Sequence, residues 1–318
     1  MLLQRLASLK LTLGLLLWFL ATLPFIPRES LSATLVLGVG TGLFAVNFAA
    51  FLAHSVYFRS RPGLLLFHAA LGLFALLLGL GRLTWMEGSV EVATGESFEG
   101  ELLTSEKGPL HDGGLERVRF VNEGFTIRYA PGLKRGPTRN TVSWRDERGR
   151  EFRQEIGDDV PLILRHYRFY TTSNKGFAPV FRWQPLRGEV VRAALHLPSY
   201  PLFDRQINSW TLPGDDLRLT ATLNLDEDFL HPEKEGVFEL PRRYTLEVSL
   251  AGSPPRRLAP GESLTLPQGR LTFEGLTTWM GYRIHYDRTR SWLLATVLVG
   301  LAGLAWHFRG KFRQEVVC

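Results

Sequence analysis

The chain has one cysteine, Cys318, so no intramolecular disulfide can form within it. It has no C-x-x-C pair for dithiol exchange and no C-x-x-C-H for covalent haem attachment, which excludes a thioredoxin and a c-type cytochrome. The signatures of soluble enzymes are also missing: there is no H-E-x-x-H, no G-x-S-x-G, no Walker A and no G-x-G-x-x-G at a strand–helix junction. Gly38-Val39-Gly40-Thr41-Gly42 is glycine-rich, but it lies inside an apolar run, where small residues serve helix packing. An excess of one charge is missing too over most of the chain. The formal charge is +6, yet the segment 82–290 is neutral overall. The excess comes from Arg5, Lys10, Arg28, Arg59, Arg61, Arg309, Lys311 and Arg313, set against Glu29 and Glu315. Every one of these residues flanks an apolar run. The basicity is therefore a membrane-topology signal and not a phosphate-binding surface, and no nucleic-acid partner is expected.

What the sequence does have is four uncharged runs: Leu11–Pro27, Leu31–Phe58, Pro62–Gly81 and Ser291–Phe308. A helix needs roughly 20 apolar residues to cross the hydrocarbon core of a bilayer. Lys and Arg favour the cytoplasmic side in short loops, and the basic tails and the Arg59/Arg61 connection can all lie inside only if both termini are cytoplasmic. The expected architecture is a membrane protein with four transmembrane α-helices (3+1) and a large extracytoplasmic all-β, sandwich-like domain between helices 3 and 4. The boundaries are 1–81 for three helices, 82–290 for the β domain, and 291–318 for the fourth helix and a cytoplasmic tail carrying Cys318. The expected location is the inner (cytoplasmic) membrane, multi-pass, with the large domain outside. A cleaved signal peptide is the competing reading of the first run, but Leu23-Pro24-Phe25-Ile26-Pro27 is a poor small-residue cleavage site.

The outer segment reads as β. Alternation marks Ser89–Ala93, Phe125–Tyr129, Thr141–Trp144, Arg165–Tyr170, Arg218–Leu225, Tyr244–Leu250 and Arg283–Tyr286. Asp146-Glu147-Arg148-Gly149 supplies hairpin-turn chemistry, and Pro/Gly breaks fall at Pro131-Gly132, Pro213-Gly214, Pro254-Pro255, Pro260-Gly261 and Pro267-Gln268-Gly269. Its carboxylates sit in charge-mixed turns, the pattern of a solvated surface and not of a hydrolytic pair.

Three histidines lie in or beside the apolar runs: His54, His68 and His307. All three fall in the cytoplasmic half of the bilayer. His68 comes six residues after Pro62, so it is sunk about 9 Å at 1.5 Å per residue. A polar side chain at that depth needs a partner, because lipid offers none. His68, Gly72, Ala75 and Gly79 share one helix face, and the small residues admit a neighbouring backbone or a flat ligand. Neutral imidazole is an axial ligand for haem iron, and porphyrin is flat and largely apolar. The alternative is a hydrogen bond from His68 to a neighbouring helix or a lipid head group. His54 and His307, near the interface, need no ligand. Asn47 reads as packing glue between helices, and His166 and His285 as ordinary strand residues.

Three spans, an outer β domain and one closing span resemble the ResB family of system II cytochrome c biogenesis. Local stretches are similar as well. Phe67-His68 opens the third span, which continues through Leu71-Gly72-Leu73 to Leu78-Gly79. Glu87-Gly88-Ser89-Val90 and Gly95-Glu96 follow, then Val160-Pro161-Leu162 and Tyr167-Arg168-Phe169-Tyr170, and Gly275 through Asp287 leads into the fourth span. Asp159-Val160 stands where the family has Val-Asn before the proline, and Thr171 where Gln is common. The resemblance implies haem handling: binding and transport of haem b across the membrane and its attachment to apocytochrome c, with a ResC/CcsA-type membrane protein as partner. On that resemblance His68 is the metal-binding and cofactor-binding residue, the partner supplies the second axial ligand, and His307 is a weaker candidate near the cytoplasmic side. The chain would then be a non-catalytic or co-catalytic subunit of a cytochrome c haem lyase complex. A non-enzymatic envelope scaffold whose β domain binds protein or lipid is the competing reading. A transporter fits less well, because no pair of broken helices is evident.

Overall fold

The structure is a computed structural model that describes residues 7–22, 24, 31–214, 217–227, 230–250 and 253–315. Arg5, the connection with Arg28 and Glu29, and Cys318 lie outside the described residues. The chain divides into two compact units. One comprises the helices together with 105–113; the other comprises 88–104 and 114–284.

Among the described residues the first unit contains the helices α1 (Leu9–Thr22), α2 (Leu31–His54), the single turn α3 (Val56–Arg59), α4 (Pro62–Thr84) and α5 (Arg290–Glu315). Three of them contain stretches long and apolar enough to cross a membrane: Thr34–His54, Pro62–Thr84 and Arg290–Gly310. The first apolar run is described only in part, since residues 25–27 at its end lie outside the described residues. Its described helix has 14 residues, about 21 Å at 1.5 Å per residue against a hydrocarbon core of about 30 Å.

Glycines set the helix contacts. A Cβ on Gly79 of α4 would sit 3.1 Å from the Gly38 carbonyl oxygen of α2, and one on Gly63 would sit 2.7 Å from the backbone nitrogen of His307 in α5. Gly303 of α5 answers, its Cβ position lying 2.8 Å from the backbone nitrogen of Phe67. These are the close backbone approaches that small residues permit where no hydrophobic force drives helices together. Asn47, almost fully buried, ties α2 to α1: its amide donates to the Ser8 carbonyl (3.3 Å) and its oxygen accepts from the Thr12 hydroxyl (2.6 Å). The segment 105–113 closes the far end of α4. Gly108 N donates to the Trp85 carbonyl, Leu110 N to the Leu83 carbonyl, both at 2.9 Å, and His111 Nδ1 to the Thr84 carbonyl at 3.0 Å. Helix ends leave such carbonyls without intrahelical donors, and here a passing segment supplies them.

Apart from a single 3-10 turn at Gly114–Arg117, the regular elements described in the second unit are strands, in three sheets. The largest runs Thr104–Lys107, Met86–Ala93, Gly269–Tyr286, Tyr167–Pro185, Leu162–Leu164, with Ser263–Leu266 and Val191–Ala194 paired to its long strands. A five-stranded sheet runs Gly236–Val237, Phe120–Ala130, Lys134–Arg145, Glu151–Ile156, with Ser97–Phe98 beside Phe120–Ala130. A four-stranded sheet runs Gln206–Thr211, Arg218–Leu225, Tyr244–Leu250, Arg256–Leu258. The first two sheets face each other across an aromatic core: the Phe120 ring lies 5.1 Å from Phe169 and 5.5 Å from Tyr282, edge to face. A polar chain crosses this core. Tyr282 Oη donates to Asn140 Oδ1 (2.7 Å), Asn140 Nδ2 to Asn122 Oδ1 (2.7 Å), and Asn122 Nδ2 to the Val92 carbonyl (2.9 Å), so each buried group has a partner. Burial pushes the Tyr282 phenol well above its ordinary range.

The hairpin expected at 146–149 is present. Arg145 pairs with Glu151, the Asp146 carboxylate accepts from the backbone NH of Arg148 and of Arg150, and Gly149 takes φ +76°. The strand expected through Arg165–Tyr170 is a correction. Leu164 pairs directly with Tyr167, so Arg165 and His166 are the two central residues of a tight hairpin turn, with φ +48° and +73°. His166 is a turn residue and not a strand residue. The right-handed twist of paired strands favours this doubly left-handed turn even without glycine.

Candidate functional site

Among the described residues no group of three or more His, Cys, Asp or Glu side chains is assembled to hold a metal ion.

Pro62 opens α4 at a position where its missing NH costs nothing, and His68 follows within the second turn. Its Nδ1 lies 2.8 Å from the carbonyl oxygen of Leu64, one turn back. A carbonyl only accepts, so Nδ1 carries the proton and Nε2 is left with its lone pair. The ring is half-buried among aromatics: Phe58 of α3 at 4.7 Å, Phe67 at 5.2 Å edge-on, and Phe48 of α2 at 6.1 Å. One ring nitrogen is thus held by a hydrogen bond while the ring sits among three phenylalanines, an arrangement in which the tautomer is fixed by the protein.

Beside it, α2 and α4 leave an apolar groove of about 500 Å³. Phe48 both lines this groove and touches His68; Ala69, Gly72 and Leu76 form its α4 wall, and Arg59 lines it as well. Gly72 is needed there, since a Cβ would come 3.1 Å from the Phe48 ring. The small-residue face expected around His68 is thus divided in use. Gly79 serves the backbone contact with α2, while Gly72 widens the groove.

The other two histidines stand apart. His54 is exposed at the end of α2, with Nδ1 3.0 Å from the Ala50 carbonyl. His307 is half-buried in α5, its ring edge-on to Phe308 at 5.6 Å and its backbone against Gly63. Helix α5 packs on α4 through Gly63, Leu66, Phe67 and Ala70, whereas His68 turns toward α2 and α3. The structure does not bring His68 and His307 together.

Two further histidines carry no signal in sequence spacing. His111 caps α4 as described above and stands edge-on to Tyr286 at 4.8 Å; Asp112, next in the chain, pairs with Arg288 at 3.1 Å. In the β unit, His196 pairs with Glu91 (3.1 Å) and stacks on Trp279 (5.4 Å). Both are joined to partners far away in sequence, which no local periodicity reveals. His285 lies in its strand as expected, 3.9 Å from Glu87.

The model of the ResB-like family matches residues 50–314, most of the chain. The protein belongs to the ResB-like family. Membership places its role in system II cytochrome c biogenesis, and its apolar helices make it a membrane protein whose partners belong to that membrane-associated pathway. A comparison with curated proteins gives no match. The matched region takes in α3, α4 with His68, the groove wall from Ala50 onward, the β unit and α5; it leaves out α1 and most of α2.

Proposed function

We propose that this chain is the haem-handling subunit of a system II cytochrome c synthase, with His68 Nε2 as an axial ligand to the iron of haem b. One observation carries the reading: Nδ1 is committed to the Leu64 carbonyl, which leaves Nε2 available inside an aromatic pocket of the helical unit. Haem is the cargo. It is made inside the cell and used outside, and a ligand near the inner leaflet would receive it and fix its orientation. When haem is delivered, its vinyl groups and the thiols of apocytochrome c supply the reactivity, and the protein supplies position.

The second axial ligand comes from a ResC/CcsA-type partner, since no second imidazole in the described residues faces His68. His307, on α5, packs against another face of α4 through its backbone and would act in uptake at the cytoplasmic side and not as the trans ligand. The four-span arrangement in the inner membrane, both termini cytoplasmic and the β domain outside, belongs to the same proposal. It is supported by the basic residues that flank the helices. The neutral β domain then serves to dock the partner or present the apocytochrome.

The test is to purify His68→Ala with its partner from haem-replete cells. The expected result is loss of most of the haem, or a shifted Soret band that free imidazole restores, with protein yield unchanged. His307→Ala should keep the wild-type spectrum. Full haem with an unaltered spectrum in His68→Ala would overturn the ligand assignment.

A further inference from the structure

The β unit holds a buried cation that the haem reading does not use. Lys175 lies on the long strand Tyr167–Pro185 and is only 4% exposed. Its backbone is clamped on both sides: Lys175 N donates to Ser199 Oγ (3.0 Å), and its carbonyl accepts from Ser199 Oγ (3.2 Å) and Tyr200 N (2.9 Å). Its Nζ reaches one hydrogen-bond acceptor, the Ser173 carbonyl at 3.3 Å, and stands 5.7 Å from the ring centres of both Tyr129 and Phe238. No carboxylate pairs with it among the described contacts. The nearest charged influence is Arg135, of like sign, and burial first and Arg135 second lower its pKa to about 8.

At the end of the hairpin formed by Phe120–Ala130 and Lys134–Arg145 is a cavity of about 670 Å³; Lys175 does not line it, but Tyr129, whose ring faces the ammonium, does. Arg128, Tyr129, Lys134, Arg135 and Glu235 are among the residues that line it, three cations against one anion. Tyr129 pairs across the hairpin with Arg135 and is 4% exposed. Its hydroxyl and Arg135 Nε are buried without hydrogen-bond partners. Another nitrogen of the same guanidinium is used: Arg135 Nη2 donates to Asp158 Oδ1 (2.9 Å), to the Thr172 carbonyl (3.5 Å) and to the Thr138 hydroxyl. Buried polar groups in folded proteins are paired, and buried cations are paired or coordinated. Two rings and one carbonyl do not balance a desolvated ammonium that a guanidinium also repels. An oxyanion held by the cations that line the cavity would offset the charge of Lys175, which is linked to it through Tyr129 and Arg135.

We propose that the cavity lined by Arg128, Tyr129, Lys134 and Arg135 binds an oxyanion, a carboxylate or a phosphate group of a ligand, with the Lys175 ammonium as its buried counter-charge. The site lies wholly within the β unit and stands or falls independently of His68.

The test uses the full chain in nanodiscs of zwitterionic lipid, titrated calorimetrically with inorganic phosphate and, separately, with propionate, at constant ionic strength held by chloride. The expected result is saturable binding of at least one of them. Phosphate alone marks a phosphorylated ligand, and propionate alone marks a carboxylate ligand. Lys175→Met and the surface double variant Arg128→Ala/Lys134→Ala should each weaken binding about tenfold or more, as loss of a charged hydrogen-bonding partner does. Lys175→Met should also melt at a higher temperature than wild type without anion, since it removes an unbalanced charge. No saturable heat with either anion, or unchanged affinity in both variants, would overturn the proposal. If Lys175→Met does not fold, the double variant decides alone.

Discussion

Aromatic enclosure, added to a one-turn hydrogen bond, separates His68 from the other histidines on the helices. His54 shares the same one-turn bond to its own helix but is exposed at a helix end, where water can satisfy the remaining nitrogen. His68 has the bond and the aromatic enclosure together. The placement of His68 near the start of an apolar helix, six residues after Pro62, was readable from the sequence. Its tautomer was not readable, since it depends on which carbonyl lies one turn back and on side-chain rotation. Lys175 was invisible altogether. It interrupts the alternation of a strand whose next residues, Gly176 to Phe181, are buried, and nothing local tells a buried lysine from a surface one. Its titration makes a prediction. The folded-state pKa is lowered to about 8 from 10.5, first by desolvation and then by Arg135. Between those values the unfolded chain holds a proton that the folded chain has released, so stability rises with pH across that window. Below about pH 8 both states are charged and the full penalty is present. The melting temperature of wild type relative to Lys175→Met should therefore climb between pH 8 and about 10.5; parallel curves would show that Lys175 titrates normally.

Among the elements, helix contacts and turns diverge in how far local sequence foretold them. Gly63 and Gly303 read as small residues in apolar runs, and the structure gives each a backbone opposite it at under 3 Å from a would-be Cβ. Because the obstruction is backbone, it cannot rotate away. Gly303→Val should lower helix-unit stability by about 1–3 kcal/mol, the range for overpacking, seen as an earlier melting transition in detergent. Gly14→Ala, with nothing within 4 Å of its Cβ position, should melt within error of wild type. A uniform response of the two would mean that α4 and α5 do not pack through these glycines. The Arg165–His166 turn failed to announce itself because left-handed turns are usually flagged by Gly or Asn, and neither is present. Alternation simply runs through it. The 105–113 segment was equally silent. Gly108 is essential to it, since a Cβ would sit 2.2 Å from the Leu83 carbonyl oxygen, but that demand arises from a helix end more than twenty residues earlier.

For the whole molecule, charge was the most informative property of the sequence. Neutrality of 82–290 and concentration of basic residues beside apolar runs separate the helical part from the β part before any strand is assigned. The residue types gave the class of each unit. The pairing order of the sheets lay beyond them, because pairing is decided by long-range packing of alternating faces. Thus Met86–Ala93, which directly follows α4, is the sheet neighbour of Gly269–Tyr286, which directly precedes α5. Those strands are almost two hundred residues apart in sequence.

That adjacency makes the β unit a cassette let into a helical hairpin, with its entrance and exit side by side. Residues can be gained or lost within it without altering the spacing that α4 and α5 require of each other, so relatives with longer or shorter cassettes can keep one membrane part. The cassette also contains its own aromatic core and its own polar chain through Asn122, Asn140 and Tyr282. A fragment spanning 88–284 should accordingly be soluble and melt cooperatively, with near-ultraviolet circular dichroism showing its tryptophans and tyrosines in fixed surroundings. A fragment without that signal would mean that the membrane part lends the cassette its order.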